Sequence, residues 1–390
     1  MTNYCASSSS SSSSSTHGNP LHAPPLPTLP FDLVAEILCL LPVKHLIKLR
    51  RVCKSWNSLI SHDSKFAKKH FRLSTSNHDR HHLTLTPTRI SHEFVLSDLP
   101  LSTIFSREEF VSTPRVTPIR YPPFPNNIGY NYCGRPSTCH GIFCFGINES
   151  FAVLCNPSIG KSKILPPLEL ETRTNLKTFY TLVYDRFTDN HKIIALSKCP
   201  GYQEVNVHTL GTYNWKRIQN IPSQCILFEP GIFVCDTVNW LAYDTCSYLW
   251  LIVSFHLEKD SCRTLLQPLH DNLFSPKRVL GELRGCLSIL SHPSKFYDVW
   301  IMKEYGNEQS WNKLLSVPKM GGYPCFRGAY TKILYISEDD QVLLQFMKIR
   351  EYGLVVYDPR NYTFKTLEIQ NISGWMEPNI YVESLISPLS

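Results

Sequence analysis

Charged residues and glycines are scarce in this sequence: Asp, Glu, Lys and Arg make up 18% of its 390 residues, and 17 residues are glycine. An average globular protein has about 25% charged residues. The 28 prolines and the 12% of aromatic residues favour short strands joined by turns. With 43% apolar residues, most of the chain should fold into a small module and one large, β-rich domain.

Several targeting and cysteine signals are absent. No apolar run approaches the roughly 18 residues needed to span a bilayer, and the start of the chain lacks the basic and apolar regions of a secretion signal. The 14 cysteines include no C-x-x-C pair, which argues against a zinc ribbon or a thioredoxin-type motif. We therefore expect reduced thiols, a location in the cytoplasm and/or the nucleus, and no membrane partner.

The common catalytic signatures are missing as well. The sequence has no P-loop, G-x-S-x-G elbow, H-E-x-x-H or G-x-G-x-x-G motif, so we expect no enzyme activity and no cofactor. Cys133, Cys139, His140 and Cys144 lie near one another, but their spacing is irregular for a metal site. We interpret them as buried structural residues and predict no metal.

The net charge of +7 is concentrated in one segment. Residues 44 to 80 contain ten Lys and Arg but only two acids, Asp63 and Asp79, so this segment carries +8 and the rest of the chain about −1. A nucleic-acid-binding domain needs a broad basic face, which the large domain does not have. The local charge favours an acidic protein partner and argues against nucleic acid.

Composition divides the chain into four parts. Residues 1–27 hold nine consecutive serines and then a proline-rich stretch, which predicts a disordered tail. Residues 28–73 show helical periodicity, and residues 74–82 form a polar, His-rich linker in which we expect His78, His81 and His82 to be solvated. Residues 83–390 consist of short β-type runs broken by Pro, Gly, Asn and Asp.

The helical part is predicted to contain three helices. The first begins near Leu29 and is ended by Pro42, the second runs from Val43 to about Val52, and the third contains Trp56. The first helix is apolar over far more than the roughly 100° that one neighbour can bury. The excess apolar surface could dock on the large domain, or it could belong to another protein.

A series of motifs runs through the same segment: Leu29-Pro30, Ile37-Leu38, Leu41-Pro42-Val43, Leu46, Leu49-Arg50-Arg51-Val52-Cys53-Lys54-Ser55-Trp56 and Leu59-Ile60. This series resembles the F-box. The resemblance implies that the segment packs against a Skp-type adaptor, an acidic protein that links to a cullin. Carried over position by position, the residues that form or support this interface are Leu29, Pro30, Ile37, Leu38, Leu41, Pro42, Leu46, Val52 and Trp56.

A repeat pattern extends through the large domain. A basic residue precedes a short apolar run, usually ended by proline, at intervals of 46 to 54 residues; these residues are Arg115, Lys163, Arg217, Arg263, Lys313 and Lys365. A period near 50 residues suits one four-stranded propeller blade. We therefore predict an all-β propeller of about six blades after the all-α F-box, with a β-sandwich as the alternative.

The large domain also resembles the F-box-associated domain of plant-type F-box proteins, which is related to kelch propellers. The resemblance implies a substrate-recognition subunit of an SCF-type ubiquitin ligase, whose propeller captures an unknown target protein. An exposed aromatic-proline loop suggests Tyr121 and Phe124 as target contacts. The alternatives are an F-box protein that acts outside ubiquitination and a propeller that binds carbohydrate or is an enzyme.

Overall fold

The structure is a computed structural model that describes residues 29–87, 94–106, 115–119, 135–147, 150–169, 177–199, 201–219, 221–268, 278–293, 295–319, 332–347, 352–367, 369 and 376–389. Its first part is helical and the remainder consists almost entirely of strands. Among the helices of the described ranges, none has the length and apolarity that crossing a bilayer requires.

Four helices open the described chain: α1 Phe31–Cys39, α2 Val43–Leu49, α3 Lys54–His62 and α4 Ser64–Thr75. Pro30 and Pro42 precede α1 and α2 with φ near −55°, a conformation that leads directly into a helix. The carboxylate of Asp63 accepts a hydrogen bond from the amide of Phe66 at 2.9 Å and caps α4. The three predicted helices are present, and α4 is a fourth helix that the sequence analysis had not separated.

The predicted linker at 74–82 is structured. It contains the end of α4, a 3-10 turn at His78–Arg80 and the first two residues of a strand. Arg80 is buried and His81 and His82 are partly buried, whereas His78 is exposed as expected. The sheet structure therefore begins at His81, directly after the helical module.

Within the described ranges, 24 strands form six antiparallel sheets of four strands each. A short helix, α5 Leu101–Phe105, follows the second strand, and a 3-10 turn lies at Glu308–Ser310. The strands are β1 His81–Pro87, β2 Phe94–Pro100, β3 Arg115–Ile119, β4 Ser137–Cys139, β5 Ile142–Gly146, β6 Ala152–Asn156, β7 Lys161–Ile164, β8 Lys177–Asp185, β9 Asn190–Cys199, β10 Tyr202–Thr209, β11 Trp215–Ile218, β12 Cys225–Val234, β13 Thr237–Asp244, β14 Leu249–His256, β15 Ser261–Leu265, β16 Arg278–Leu283, β17 Cys286–Ser291, β18 Phe296–Met302, β19 Trp311–Pro318, β20 Lys332–Ile336, β21 Val342–Met347, β22 Tyr352–Asp358, β23 Thr363–Leu367 and β24 Met376–Val382.

The sheets are the blades of a propeller. Blades 1 to 5 each use four consecutive strands, from β4–β7 to β20–β23, and blade 6 has the order β24-β1-β2-β3. The innermost strands β4, β8, β12, β16, β20 and β24 contact one another in a ring. The last strand pairs with the first from His81↔Val382 to Pro87↔Met376, which closes the ring with hydrogen bonds. The prediction of a six-bladed propeller is confirmed.

The sequence repeat corresponds to one position in each blade. All six basic residues lie in the outermost strand of a blade, namely β3, β7, β11, β15, β19 and β23. In two blades the outermost strand begins with a tryptophan that reaches the preceding blade. The indole N–H of Trp215 donates to the carbonyl of Pro166 at 3.0 Å, and that of Trp311 donates to the carbonyl of Leu266 at 3.0 Å.

The helical module shares a hydrophobic core with the propeller. Leu38, Leu46 and Phe66 are buried in the same cluster as Ile142 of blade 1 and Ile193 of blade 2. Burying a side chain of this size stabilises a fold by roughly 1.5–3 kcal/mol. One of the two sequence alternatives, docking of the helices on the large domain, is therefore present in the structure.

Candidate functional site

One face of α1 remains apolar and exposed although the opposite face is buried. Leu33, Ile37 and Leu40 are 50%, 52% and 63% exposed, and their spacing of four and three residues places them on one side of the helix. Leu38 and Cys39 face the core at 2% and 0%. We call Leu33, Ile37 and Leu40 the α1 apolar face. Apolar side chains exposed as a group are typical of a protein-binding surface.

The nine residues predicted to contact the adaptor separate into two groups. Leu29, Pro30, Ile37, Pro42 and Val52 are exposed and available to a partner. Leu38 and Leu46 are buried, and Leu41 and Trp56 are partly buried, so these four support the surface from within.

In the described part of the helical module, three large exposed apolar residues were not among the predicted nine: Phe31, Leu33 and Leu40. The sequence feature that could have indicated these residues was the unusually wide apolar arc of the first helix. Periodicity cannot tell which part of such an arc the propeller covers, so the exposed part could not be assigned from the sequence.

The basic segment is largely exposed around this surface. Lys44, Lys48, Arg51 and Lys54 are exposed and form no ion pair with another described residue. Lys68 and Lys69 differ, because they pair with Asp189 and Glu36 within the chain. The unpaired cations lie on α2, at the start of α3 and between them, next to the apolar residue Val52.

Hydrogen bonds from Arg80 and His70 hold the end of α1 against α4 and the 3-10 turn that precedes the propeller. Arg80 donates to the carbonyl of Leu40 and to Ser74 Oγ, the latter at 2.7 Å. The Nε2–H of His70 donates to the carbonyl of Leu41 at 2.8 Å. Burial lowers the pKa of His70, and the nearby Arg80 cation lowers it further. The two side chains therefore satisfy the carbonyl groups that end α1.

A cavity of about 950 Å³ lies between α4 and the ends of the innermost strands. Among the residues that line it, Arg284 pairs with Asp340 at 2.7 Å, and the His78 ring contacts the carboxylate of Glu338 at 2.9 Å. A smaller cavity of about 250 Å³ runs along the innermost strands. There the buried carboxylate of Glu377 faces two cations, at 3.4 Å and 3.9 Å. Arg135 and Lys332 thus offset the charge of this buried carboxylate.

Several residues of interest lie in loops. Glu338-Asp339-Asp340 lie in the hairpin turn between β20 and β21. Tyr121 and Phe124, the predicted target contacts, lie outside the described residues. Cys133 also lies outside them, so the structure describes only three of the four clustered residues, namely Cys139, His140 and Cys144.

Cys139 and His140 meet a histidine that sequence spacing did not suggest. Their ligand atoms and one ring nitrogen of His191, in the next blade, lie within 4.8 Å of one another. Burial lowers the pKa of His140 to about 4 and that of His191 to about 3, while it raises the pKa of the Cys139 thiol to about 12. Both imidazoles are therefore neutral at physiological pH, with lone pairs available.

Comparison with known proteins agrees with this architecture. The F-box domain family matches residues 26–68, which include α1 to α3. The family described as the F-box associated beta propeller domain matches residues 67–383, which is most of the chain. The chain belongs to the F-box-associated β-propeller family. The α1 apolar face consequently lies within the F-box, and the six blades form the F-box-associated propeller.

Relatives align along nearly the whole chain. The F-box/kelch-repeat protein At3g23880 of Arabidopsis thaliana is 29% identical over 375 residues, covering 92% of this chain and 96% of that protein. The F-box protein CPR1 of Arabidopsis thaliana is 23% identical over 393 residues, covering 92% and 89%. Among solved structures, the Dos1 propeller has a TM-score of 0.41 at 8% identity and covers 75% of this chain and 69% of its own.

Proposed function

We propose that this protein is the substrate-recognition subunit of an SCF-type E3 ubiquitin ligase. Its F-box binds a Skp-type adaptor, and through it a cullin, while the propeller binds the target protein. The observation that carries the proposal is the α1 apolar face, which stays exposed in an F-box whose other side is buried against the propeller. The chain itself catalyses no covalent step, and it acts in the cytoplasm and/or the nucleus.

The apolar face and the adjacent charge together define the adaptor's chemistry. Desolvation of large apolar side chains supplies most of the affinity at protein interfaces. Exposed cations mainly increase the association rate with an oppositely charged partner and fix its orientation. Leu33, Ile37 and Leu40 with Lys44 and Lys48 therefore suit a partner that combines an apolar groove with an acidic rim.

The core that the F-box shares with the propeller supports a rigid connection between the two parts. Because the helices and blades 1 and 2 have one core, the adaptor and a target on the propeller would be held at a fixed distance. A ligase needs this geometry, since the target must reach a ubiquitin carrier bound elsewhere in the complex. Tyr121 and Phe124 stay predictions for the target contacts.

Co-purification with a Skp-type adaptor tests the adaptor half of the proposal. In the test variant, Leu33, Ile37 and Leu40 are all replaced by serine. Losing three interface side chains is expected to cost about 3 kcal/mol or more, which weakens binding about 100-fold. Because the three side chains are already exposed, the fold should survive, and circular dichroism checks this.

The matched control replaces Tyr213, Tyr248 and Tyr362 by serine. These large side chains are 88%, 70% and 74% exposed, but they lie on propeller turns. The control should bind the adaptor like the wild type. Equal binding by the α1 variant and the control, or no binding by the wild type, would refute the proposed adaptor surface.

The target half needs a separate measurement. Target ubiquitination is expected in a reconstituted ligase with wild-type protein and not with the α1 variant. The adaptor could bind while no protein requires this chain for its ubiquitination. That outcome would show that the chain acts outside ubiquitination.

A further inference from the structure

A cysteine and two histidines from two blades converge beneath α4. Cys139 ends β4, His140 follows it in the turn to β5, and His191 lies on β9 of the next blade. The Cys139 sulfur and one ring nitrogen from each histidine lie within 4.8 Å of one another. Thiolate and imidazole are ligands that zinc prefers.

Two ring nitrogens in this cluster lack hydrogen-bond partners. Nδ1 of His140 and Nε2 of His191 are buried, and neither has a partner among the described residues. The His191 side chain is deeply buried, at 6% exposure of the residue. Buried polar atoms are nearly always hydrogen-bonded, so two unpartnered nitrogens in one cluster need a cause. A metal ion bound through these two nitrogens would satisfy both.

The backbone holds the first two residues in place. His140 and Gly141 form the two-residue turn between β4 and β5, and both have positive φ, 51° and 72°. Ser384 Oγ donates to the carbonyl of His140 at 2.7 Å. A Cβ on Gly141 would lie 2.6 Å from Ser384, so only glycine permits this approach. The turn is thus fixed against the carboxy-terminal segment.

We propose that this cluster is a zinc site formed by Cys139 Sγ and the imidazoles of His140 and His191, with a water molecule as the fourth ligand. Tetrahedral zinc with ordinary bond lengths places its ligand atoms about 3.5 Å apart. The three ligand atoms now lie within 4.8 Å of one another, so zinc binding would require them to move closer by about 1 Å. The proposal is independent of adaptor binding.

The site has an entry route and a structural consequence. Cys139 and His140 line the cavity of about 950 Å³, which opens a path for the ion. The ring of His140 lies 5.0 Å from that of Phe71 on α4 and 4.3 Å from that of Tyr184 on β8. Zinc would fix the His140 ring and so stabilise the contact between α4 and blades 1 and 2.

The charges around the cluster are compatible with a cation. Lys68 lies nearby, but Asp189 pairs with it at 2.6 Å and also accepts a hydrogen bond from the Tyr184 hydroxyl. This pair offsets the repulsion that an isolated lysine would exert on a divalent ion.

Metal titration of the full-length, untagged chain tests the site. The protein is freed of metal with a chelator, kept reduced with a non-thiol reductant and titrated with Co²⁺. We expect one equivalent to produce the absorption of tetrahedral Co²⁺ and a thiolate-to-cobalt charge-transfer band. One equivalent of Zn²⁺ should remove both signals and raise the thermal unfolding temperature.

Variants locate the ion, since the chain has 15 histidines and 14 cysteines. Cys139→Ser should abolish the charge-transfer band, and His191→Gln should weaken Zn²⁺ binding at least tenfold. Cys262→Ser, at a partly buried cysteine of blade 3, should behave like the wild type. A wild-type spectrum without a thiolate band would overturn the proposal, even if the variants fail to fold. Cys139→Ser protein with wild-type Zn²⁺ affinity would also overturn it.

Discussion

The guanidinium of Arg80, in the 3-10 turn before the propeller, donates a hydrogen bond to the carbonyl of Leu40 at the end of α1. The two residues are far apart in sequence, yet this bond joins the F-box to the start of blade 6. The carbonyl groups at a helix end have no partner within the helix, and a cation is favourable there. Arg80 therefore links the end of α1 to the turn from which blade 6 begins, and the ion pair of Lys68 with Asp189 is a second polar link between the helices and the propeller.

Arg80→Met is expected to destabilise the F-box by about 2–4 kcal/mol, because it removes charge-assisted hydrogen bonds to Leu40 and Ser74 and leaves buried acceptors without partners. Urea unfolding and hydrogen exchange of α1 measure the change. Arg72→Met, at an exposed position of α4, is the control and should lie within about 0.5 kcal/mol of the wild type. Similar stability of the two variants would contradict the assigned role.

Lowering the pH should destabilise the protein through His70. Its pKa is lowered in the folded state, so the unfolded chain binds a proton more readily. The contribution of neutral His70 to the stability of the folded state is complete above the unfolded pKa of about 6.5. It is lost as the pH falls from there toward the lower pKa of the folded state. The midpoint of urea unfolding should therefore decrease between pH 7.5 and 5.5.

His70→Gln is expected to reduce this pH dependence, because glutamine can still donate to the Leu41 carbonyl but does not titrate. His45→Gln, at an exposed position of α2, should leave the dependence unchanged. If His70→Gln and wild type lose stability in parallel, His70 does not contribute. Other buried histidines would then account for the whole effect.

Trp215 and Trp311 should stabilise the packing of neighbouring blades. Replacing either by phenylalanine keeps an aromatic ring but removes the N–H donor to Pro166 or Leu266. We expect each change to cost about 1 kcal/mol in chemical unfolding, since one hydrogen bond is lost and a carbonyl loses its partner. Trp250→Phe is the comparison, because that indole makes ring contacts but no hydrogen bond among the described residues. Equal costs at all three sites would assign the effect to ring size.

Asn156 should be needed for the carboxy-terminal segment to dock. Its fully buried side-chain amide donates to the carbonyls of Ser384 and Ile386 at 3.0 and 2.8 Å, and its oxygen accepts from the Ser158 amide at 2.9 Å. Asn156→Ala is expected to cost about 2–4 kcal/mol because these buried groups lose their partner. Hydrogen exchange in β24 should also increase.

The control for that variant is Asn361→Ala, at an exposed turn of blade 5 where the side chain accepts hydrogen bonds from Thr363 and from no other described residue. Its cost should stay below about 1 kcal/mol. Hydrogen exchange in β24 could also stay unchanged in the Asn156 variant. This result would show that the pairing of β24 with β1 closes the ring without the hydrogen bonds of Asn156.

Sequence reasoning identified the features that repeat or that depend on local pattern. The outermost strands could be located from the six basic residues because each blade repeats the same strand and turn chemistry. The F-box helices could be located because proline, apolar spacing and motif order act within a few residues. The fourth helix lies almost entirely within the predicted helical part at 28–73, but its start was not separated from the third helix.

By itself, then, the sequence determined the helical module, the six blades and the family resemblance, all of which depend on short-range signals. Only the tertiary structure decided which side of α1 the propeller covers and why Arg80 is buried. It also brought His191 to Cys139 and His140. These relationships join residues that are distant in the chain, and they depend on how whole blades and helices pack, which no local pattern encodes.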